Sequence, residues 1–265
     1  MGIKVAVSGK GGVGKTTIAG AIAISWAKQG KRVLAVDADP VNHLGIILNI
    51  SKDRQPTPLS KMSELIEERT GVAPGESFGK LFRLNPRVDD IPDKYSAVNE
   101  DGVRLLVLGT IECASSGCFC PENALLRTLI DHLVLEIDDY LVIDLEAGLE
   151  HLGRGSSKGL DILLLIVEPG QRSIETADRI KTLAMELGIK RVEAILNKSR
   201  SPNSERLMKS RMEELGIPLL GTVPYDQLFE EADINGVSPF SISRSSPGLN
   251  ALSEIAVKLN RSQSS

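Results

Sequence analysis

The chain has 265 residues, of which 42% are hydrophobic and 25% are charged, and its formal net charge at pH 7 is −4. This mixture is typical of a globular protein with a substantial core, while the acidic balance argues against general binding to nucleic acids. Three clustered cysteines do not make a secreted disulfide framework and the longest apolar run (162–167) is too short to span a bilayer, so we expect a cytoplasmic protein with no membrane or nucleic-acid partner.

Short apolar runs alternate with amphipathic stretches along most of the chain. Continuous apolar strands are expected of a parallel sheet that is buried on both faces, and their alternation with helices indicates a doubly wound sheet between two helical layers. The predicted strands are 3–7, 33–36, 104–108, 140–143, 162–167, 192–196 and 219–223, and the predicted helices are 15–29, 121–137, 171–187 and 203–215.

Residues 51–100 interrupt this alternation. They contain five prolines and charges of both signs. We predict an irregular insertion there, outside the sheet, with a short helix at 60–69. Since the sequence shows no repeat and no low-complexity linker, we predict a single α/β domain over residues 1–265 that includes this insertion.

The first predicted strand leads into "GKGGVGKT" (9–16), which fits the phosphate-loop motif G-x-x-x-x-G-K-[ST] in its expected place between a strand and a helix. Glycines let backbone N–H groups point at the phosphates of ATP or ADP, and the helix N-terminus adds partial positive charge. We expect Lys15 to reach the β- and γ-phosphates and the Thr16 hydroxyl to bind Mg²⁺. The residues of this segment predicted to bind nucleotide are Gly9, Lys10, Gly11, Gly12, Val13, Gly14, Lys15, Thr16 and Thr17.

Two later strands end in acidic residues. "VDADP" carries Asp37 and Asp39, and a pair of carboxylates near a γ-phosphate suits Mg²⁺ organisation and water activation, although Asp-Pro turns are also common. "VIDLEAG" ends a buried strand at Asp144, where a charge without a partner is costly and a water bound to Mg²⁺ would compensate it. These patterns predict that Thr16 and Asp144 bind Mg²⁺, and they leave the roles of Asp37 and Asp39 undivided between metal and water.

Two strands near the C-terminus also end in candidate binding residues. Asn197 offers a donor and an acceptor, which suits a purine edge, although an ordinary turn at the strand end is an alternative. Lys198 follows it, and Pro224 follows the last predicted strand. Because the carboxyl ends of parallel strands meet at one edge of the sheet, we add Asn197, Lys198 and Pro224 to the predicted nucleotide site.

The phosphate loop has a second lysine, Lys10. In this it resembles the deviant loop K-G-G-x-G-K-[ST]-T of a class that includes the septum-site ATPase MinD, the ParA partition ATPases and the nitrogenase iron protein. The resemblance implies a MinD-like P-loop fold and a homodimer with nucleotide sandwiched between its chains, in which Lys10 reaches the partner's phosphates. It also implies that Asp39 orients the attacking water and that Asp37 supports Mg²⁺. It further implies that the Gly148 N–H lies by the γ-phosphate and that Asn197 binds adenine. The implied catalytic residues are Lys10, Lys15, Asp39 and Asp144.

All three cysteines lie in "ECASSGCFCPENALLRTL" (112–129). Cys120 precedes Pro121, the predicted first residue of a helix, and a helix N-terminus favours the thiolate. A disulfide between Cys118 and Cys120 would be strained, and two thiolates are too few for a tetrahedral site, but a two-fold dimer supplies four. We predict one Zn²⁺ or Ni²⁺ per dimer, bound by Cys118 and Cys120, with buried or redox-active thiols as the alternative.

Two segments together resemble a narrower family. "GCFCPENALLRTL" and "DLEAGLEHLGRGSSKGLD" (144–161) are similar to the CooC family, the nickel-insertion ATPases of carbon monoxide dehydrogenase. The resemblance implies an ATP-driven dimer that binds one metal ion across its interface and serves a nickel enzyme, either carbon monoxide dehydrogenase or acetyl-CoA synthase. It leaves the roles of Cys113, His151 and Arg154 open.

Two other functions remain as alternatives. An iron–sulfur electron donor like the nitrogenase iron protein would need cysteines far apart in sequence. A positioning ATPase of the MinD or ParA type would call for a basic amphipathic tail on a membrane. The C-terminal segment has apolar residues at Leu249, Leu252, Ile255 and Leu259 but little basic charge, so we expect a helix packed on the domain.

Overall fold

A computed structural model describes residues 2–39, 43–76, 81–109, 120–149, 152–153, 156–243 and 245–261. Within them, eight strands form one sheet in the order β3-β4-β2-β5-β1-β6-β7-β8, and all neighbours are parallel except β3 and β4. The predicted doubly wound, mostly parallel sheet is confirmed. The strands are β1 (Lys4–Gly9), β2 (Val33–Ala38), β3 (Ala97–Val98), β4 (Val103–Val107), β5 (Tyr140–Leu145), β6 (Ile162–Val167), β7 (Val192–Ser199) and β8 (Leu219–Pro224).

Helices cover both faces of the sheet, because successive residues of each central strand point to opposite sides. The helices are α1 (Lys15–Lys28), α2 (Leu44–Ile47), α3 (Ser63–Thr70), α4 (Ile91–Tyr95), α5 (Pro121–Leu135), α6 (Gln171–Leu187), α7 (Pro202–Glu214), α8 (Gln227–Asn235), α9 (Pro239–Ile242) and α10 (Pro247–Arg261). Ala6 packs in a core with α3, α5, α6 and α7, whereas Val5 and Val7 pack in a second core with α1, α2 and α10.

Local signals explain where several helices begin and end. α5 has Pro121 as its first residue, where the missing N–H costs nothing. The Ser201 hydroxyl accepts a hydrogen bond from the Ser204 N–H at the start of α7. α6 ends at Gly188 with φ of 86°, a left-handed conformation that glycine adopts readily.

The region 51–100 returns to the sheet, which differs from the predicted excursion. Residues 97–98 form β3 and pair antiparallel with β4, and the Asn99 side chain accepts a hydrogen bond from the Val103 N–H across the connecting turn. A strand of two residues is too short to produce a detectable apolar pattern. The predicted helix at 60–69 is observed as α3, preceded by a 3₁₀ turn at Leu59–Lys61.

The C-terminal helix α10 packs on α1, as expected. Its apolar residues Leu249, Leu252, Ile255 and Leu259 are buried, and the Trp26 indole N–H of α1 donates to the Ala256 carbonyl at 3.2 Å. Across the described ranges, no helix combines the length and the apolar character needed to cross a membrane.

Candidate functional site

The phosphate loop joins β1 to α1 at the carboxyl edge of the sheet. Gly9, Gly12 and Gly14 have positive φ angles of 148°, 77° and 97°. A Cβ atom at Gly9 would lie 2.4 Å from the Ile166 carbonyl oxygen, and one at Gly14 would lie 2.5 Å from Nδ2 of Asn197. These positions therefore require glycine, and the loop they form leaves the N-terminus of α1 facing a cleft, an arrangement that suits anion binding.

A cleft of about 750 Å³ opens beside this loop. It is lined by much of the predicted nucleotide site together with residues of α8, α9 and α10. The predicted residues that line it are Gly11, Gly12, Gly14, Lys15, Thr16, Thr17, Asp39, Asn197, Lys198 and Pro224. The sheet topology therefore brings together strand ends that are up to about two hundred positions apart in sequence.

Asp37 and Asp144 lie side by side in the sheet, because β2 and β5 pair in register at these two residues. Both side chains are fully buried. One carboxylate oxygen of Asp37 accepts the Asp39 N–H at 3.2 Å and the other accepts the Leu44 N–H at 3.1 Å. Burial and the neighbouring charge of Asp144 raise the pKa of Asp37 to about 8, and these backbone hydrogen bonds oppose the rise.

Asp144 has a different environment. Neither of its carboxylate oxygens receives a hydrogen bond of good geometry from any residue that the structure describes. Burial raises its pKa to about 7, opposed by the nearby Thr16 hydroxyl and the positive charge of Lys15 and assisted by the charge of Asp39. Since buried carboxylates are normally paired or bound to metals, the surroundings of Asp144 suit a bound cation.

The donors around Asp144 fit Mg²⁺. Thr16 and Asp144 supply oxygen atoms, which Mg²⁺ prefers, and Mg²⁺ commonly binds one or two protein ligands while water and phosphate complete its shell. In the described part of the chain no three His, Cys, Asp or Glu side chains converge in a way that would hold a metal unaided. Asp37, whose two oxygens already accept backbone N–H groups, suits support of the loop at residue 39.

Asn197 and Lys198 hold the phosphate loop against the end of β7. Nδ2 of Asn197 donates to the Val13 carbonyl at 2.8 Å, and Nζ of Lys198 donates to the Gly12 carbonyl at 2.6 Å. Lys198 has φ of 56°, which is uncommon for a residue with a side chain and marks a constrained strand end. The side-chain nitrogen of Asn197 thus binds the phosphate loop. The predicted contact of Asn197 with adenine would therefore use its side-chain oxygen.

Lys10 does not line the cleft but lies at its edge. Its Nζ is 3.7 Å from Oε1 of Glu168, at the end of β6, and Oε2 of Glu168 is 3.7 Å from Nζ of Lys198. Glu168 therefore lies between the two lysines. Its position at a strand end was visible in the sequence, but its pairing with Lys10 depends on β6 lying next to β1.

The cleft is also lined by residues that the sequence analysis does not predict as part of the site. The Arg200 guanidinium lies over the Tyr225 ring, 3.7 Å from its centroid, and the Tyr225 hydroxyl donates to Glu230. Phe229 lines the same cleft. Planar aromatic and guanidinium groups suit contacts with a base and a ribose. In the sequence, the position of Tyr225 directly after Pro224 at a predicted strand end was the one feature that indicated a place in this cleft.

Of the two cysteines predicted to bind a metal, Cys118 lies outside the described residues, as do Cys113, His151 and Arg154, whose roles the sequence leaves open. Cys120 is described: it is the N-cap of α5, with φ of −123° and ψ of 154°, and its side chain is 6% exposed. The helix therefore starts where the sequence predicts, and binding of a metal by Cys118 and Cys120 stays a prediction.

Comparisons with known proteins agree with this geometry. The family model of the CobQ/CobB/MinD/ParA nucleotide binding domain matches residues 4–240. The chain is 44% identical over 243 residues to the carbon monoxide dehydrogenase accessory protein CooC of Rhodospirillum rubrum, covering 91% of this chain and 90% of that protein. It is also 44% identical over 227 residues to an ATP-binding protein of Methanocaldococcus jannaschii, covering 85% and 86%.

Among solved structures, MinD from Pyrococcus horikoshii OT3, complexed with Mg-ADP, has the same fold. It superposes with a TM-score of 0.69 over 99% of this chain and 98% of that chain, at 20% sequence identity.

Proposed function

This chain belongs to the CobQ/CobB/MinD/ParA family of nucleotide-binding domains, and from that membership we propose that this P-loop ATPase works as a Mg²⁺-dependent homodimer in the maturation of carbon monoxide dehydrogenase. The likeness to CooC over nearly the whole chain supports carbon monoxide dehydrogenase as the client. The sequence segments 117–129 and 144–161 support the assignment to the CooC family. The single structural observation that supports the ATPase site is the fully buried carboxylate of Asp144 near Lys15 and Thr16, which receives no hydrogen bond of good geometry from the residues that the structure describes.

Different residues around the phosphate loop bind the phosphates, orient the attacking water and bind Mg²⁺. Lys15 and the loop N–H groups bind and orient the phosphates, and Asp39, which lines the cleft, orients the water that attacks the γ-phosphate in line. Thr16 would bind Mg²⁺ directly and Asp144 through a bound water. Mg²⁺, when bound, neutralises charge on the phosphates.

Lys10 is proposed to act on the partner chain. Within a single chain it pairs with Glu168 at 3.7 Å, and both side chains remain about a third exposed. An exposed ion pair of this kind contributes about 0–1 kcal/mol. Exchange of Glu168 for a phosphate on the partner therefore costs little, and the gain appears only in the closed dimer.

The cargo is proposed to be a nickel ion held by Cys118 and Cys120 of both chains, with Zn²⁺ as a substitute in the same site. Four thiolates from two chains complete a tetrahedral set that neither chain completes alone. If nucleotide binding and metal binding both favour the same dimer, each strengthens the other by an equal factor. Nucleotide turnover would then change the affinity for the metal and allow its transfer to the client.

The two alternatives differ from this proposal in testable ways. An iron–sulfur electron donor would absorb visible light with a cluster spectrum, whereas a Zn²⁺ thiolate site would not absorb there and a Ni²⁺ thiolate site would give a different spectrum. A positioning ATPase would need an unoccupied apolar helix face for a membrane, but the apolar face of α10 is buried on α1.

Activation of nickel-free carbon monoxide dehydrogenase tests the proposal. The apo-enzyme is mixed with Ni²⁺, Mg-ATP and this protein, and the nickel content and CO oxidation of the re-isolated enzyme are measured. We expect activation that requires ATP and is lost with Asp39→Asn, whereas the matched surface variant Asp178→Asn on α6 behaves as wild type. Equal activation without nucleotide, or with Asp39→Asn, would contradict a role for ATP hydrolysis.

A further inference from the structure

A buried serine connects the strand that enters the phosphate loop with the loop that follows Asp144. Ser8, near the end of β1, is fully buried. Its hydroxyl lies 3.1 Å from the Glu146 carbonyl oxygen and 3.0 Å from the Gly148 carbonyl oxygen. β1 and β5 pair in register as far as Val7 and Asp144. Ser8 is the next residue on β1, and the two carbonyls lie two and four residues after Asp144.

The Glu146 and Gly148 carbonyls flank the peptide group that joins residues 147 and 148. The carbonyl of Glu146 precedes the peptide that joins residues 147 and 148, and the carbonyl of Gly148 follows it. The N–H of this central peptide is the Gly148 N–H. A hydroxyl has one proton to donate, so the two carbonyls share it, and removal of the hydroxyl leaves both without this donor.

We propose that Ser8 is a positioning residue that fixes the Gly148 N–H for the γ-phosphate and thereby lets the site distinguish ATP from ADP. This inference rests on the proposed ATPase function. Because ADP has no γ-phosphate, its binding depends on the phosphate loop alone and not on the loop at 146–148. Ser8 then affects ATP binding and turnover but leaves ADP binding unchanged.

Affinities of the Ser8→Ala variant for ADP and for a non-hydrolysable ATP analogue test the proposal. We expect the Kd of ADP to stay within about twofold of wild type. We expect the Kd of the ATP analogue and kcat to worsen by about tenfold, the size of effect associated with one lost buried hydrogen bond. Hydrogen exchange at the Gly148 amide in the analogue complex should be faster in the variant.

Thr70 provides a matched control. Its buried hydroxyl likewise lies between two carbonyls, those of Ile66 at 2.6 Å and Val72 at 3.0 Å, but in α3, away from the cleft. Thr70→Val should lower thermal stability without changing the ratio of the two affinities. Ser8→Thr, which restores a hydroxyl, should recover that ratio, and Ser8→Cys replaces Ser8→Ala if the latter does not fold.

Two results would overturn the role of Ser8. Equal weakening of ADP and ATP-analogue binding in Ser8→Ala would show a general structural role, and unchanged affinities and kcat would show no role. Failure of the wild-type protein to hydrolyse ATP is a different result, because it removes the proposed function itself and with it this inference.

Discussion

Lys10 and Glu168 form an ion pair within one chain, with Nζ 3.7 Å from Oε1, at the edge of the nucleotide cleft. The other oxygen of Glu168 faces Lys198, which in turn donates to the Gly12 carbonyl of the phosphate loop. The lysine that is proposed to act across a dimer is thus held in its own chain by Glu168, which also pairs with Lys198. Closure of the proposed dimer would therefore require Lys10 to leave Glu168.

Replacement of Lys10 should separate dimerisation from nucleotide binding. Lys10→Ala should weaken ATP-induced dimerisation by at least about tenfold while changing the Kd of ATP for the single chain by less than about threefold, because Lys10 lies outside the cleft lining. Sedimentation velocity with Mg²⁺ and a non-hydrolysable ATP analogue measures this, with the exposed Lys52→Ala as control. A wild-type monomer under these conditions, or an unaffected dimer in Lys10→Ala, would argue against action on the partner.

Asp39→Asn should abolish turnover and retain ATP. The substitution removes the group that orients water but leaves the phosphate loop and its contacts with Asn197 and Lys198 intact. We expect kcat to fall by about 10²-fold or more, the range associated with loss of a general base, with Kd changed by less than about threefold. Parallel losses of binding and turnover would show instead that Asp39 supports the nucleotide and not the water.

The buried carboxylates should make the metal-free protein less stable as the pH rises. The folded-state pKa values of Asp37 and Asp144 are about 8 and about 7, above the ordinary value of 3.8, so between about pH 4 and 8 the folded state binds more protons than the unfolded state. The contribution of these groups to the free energy of unfolding therefore falls with rising pH across that window and is constant below it.

Asp144→Asn removes one of these charges and should raise the stability of the metal-free protein at pH 8 by about 1–3 kcal/mol, with a smaller gain at pH 5. Urea unfolding in EDTA at both pH values measures this, and the surface variant Asp178→Asn serves as control. Addition of Mg-ADP should reverse the ranking, because only the wild-type carboxylate assists Mg²⁺. An Asn variant that is less stable than wild type in EDTA would show that Asp144 is compensated within the chain.

Local motifs explain how much of the site could be predicted. The phosphate loop depends on a short run of glycines and a lysine, so its type and position follow from the sequence alone. Asp37 and Asp144 were recognisable as charges at the ends of apolar strands. Their pairing in register, however, depends on β2 and β5 being neighbours, which the sequence does not specify.

Contacts between distant strands could not be predicted. Asn197 reaches the Val13 carbonyl because only β6 separates β1 from β7 in the sheet. Glu168 pairs with Lys10 because β6 lies directly beside β1. Ser8 is an ordinary polar residue in an apolar strand until β5 is placed beside it. The stacking of Arg200 on Tyr225 likewise joins the ends of β7 and β8.

We propose that the nucleotide site and a thiolate metal site belong to one dimer. The most direct measurement is the number of tightly bound metal ions per chain, from titration of Ni²⁺ or Zn²⁺ into metal-free protein with Mg²⁺ and an ATP analogue. We expect one ion per two chains, loss of tight binding in Cys118→Ser and in Cys120→Ser, and retention of tight binding in the control Cys113→Ser. One tight ion per chain, or equal loss in Cys113→Ser, would contradict a site shared across the dimer.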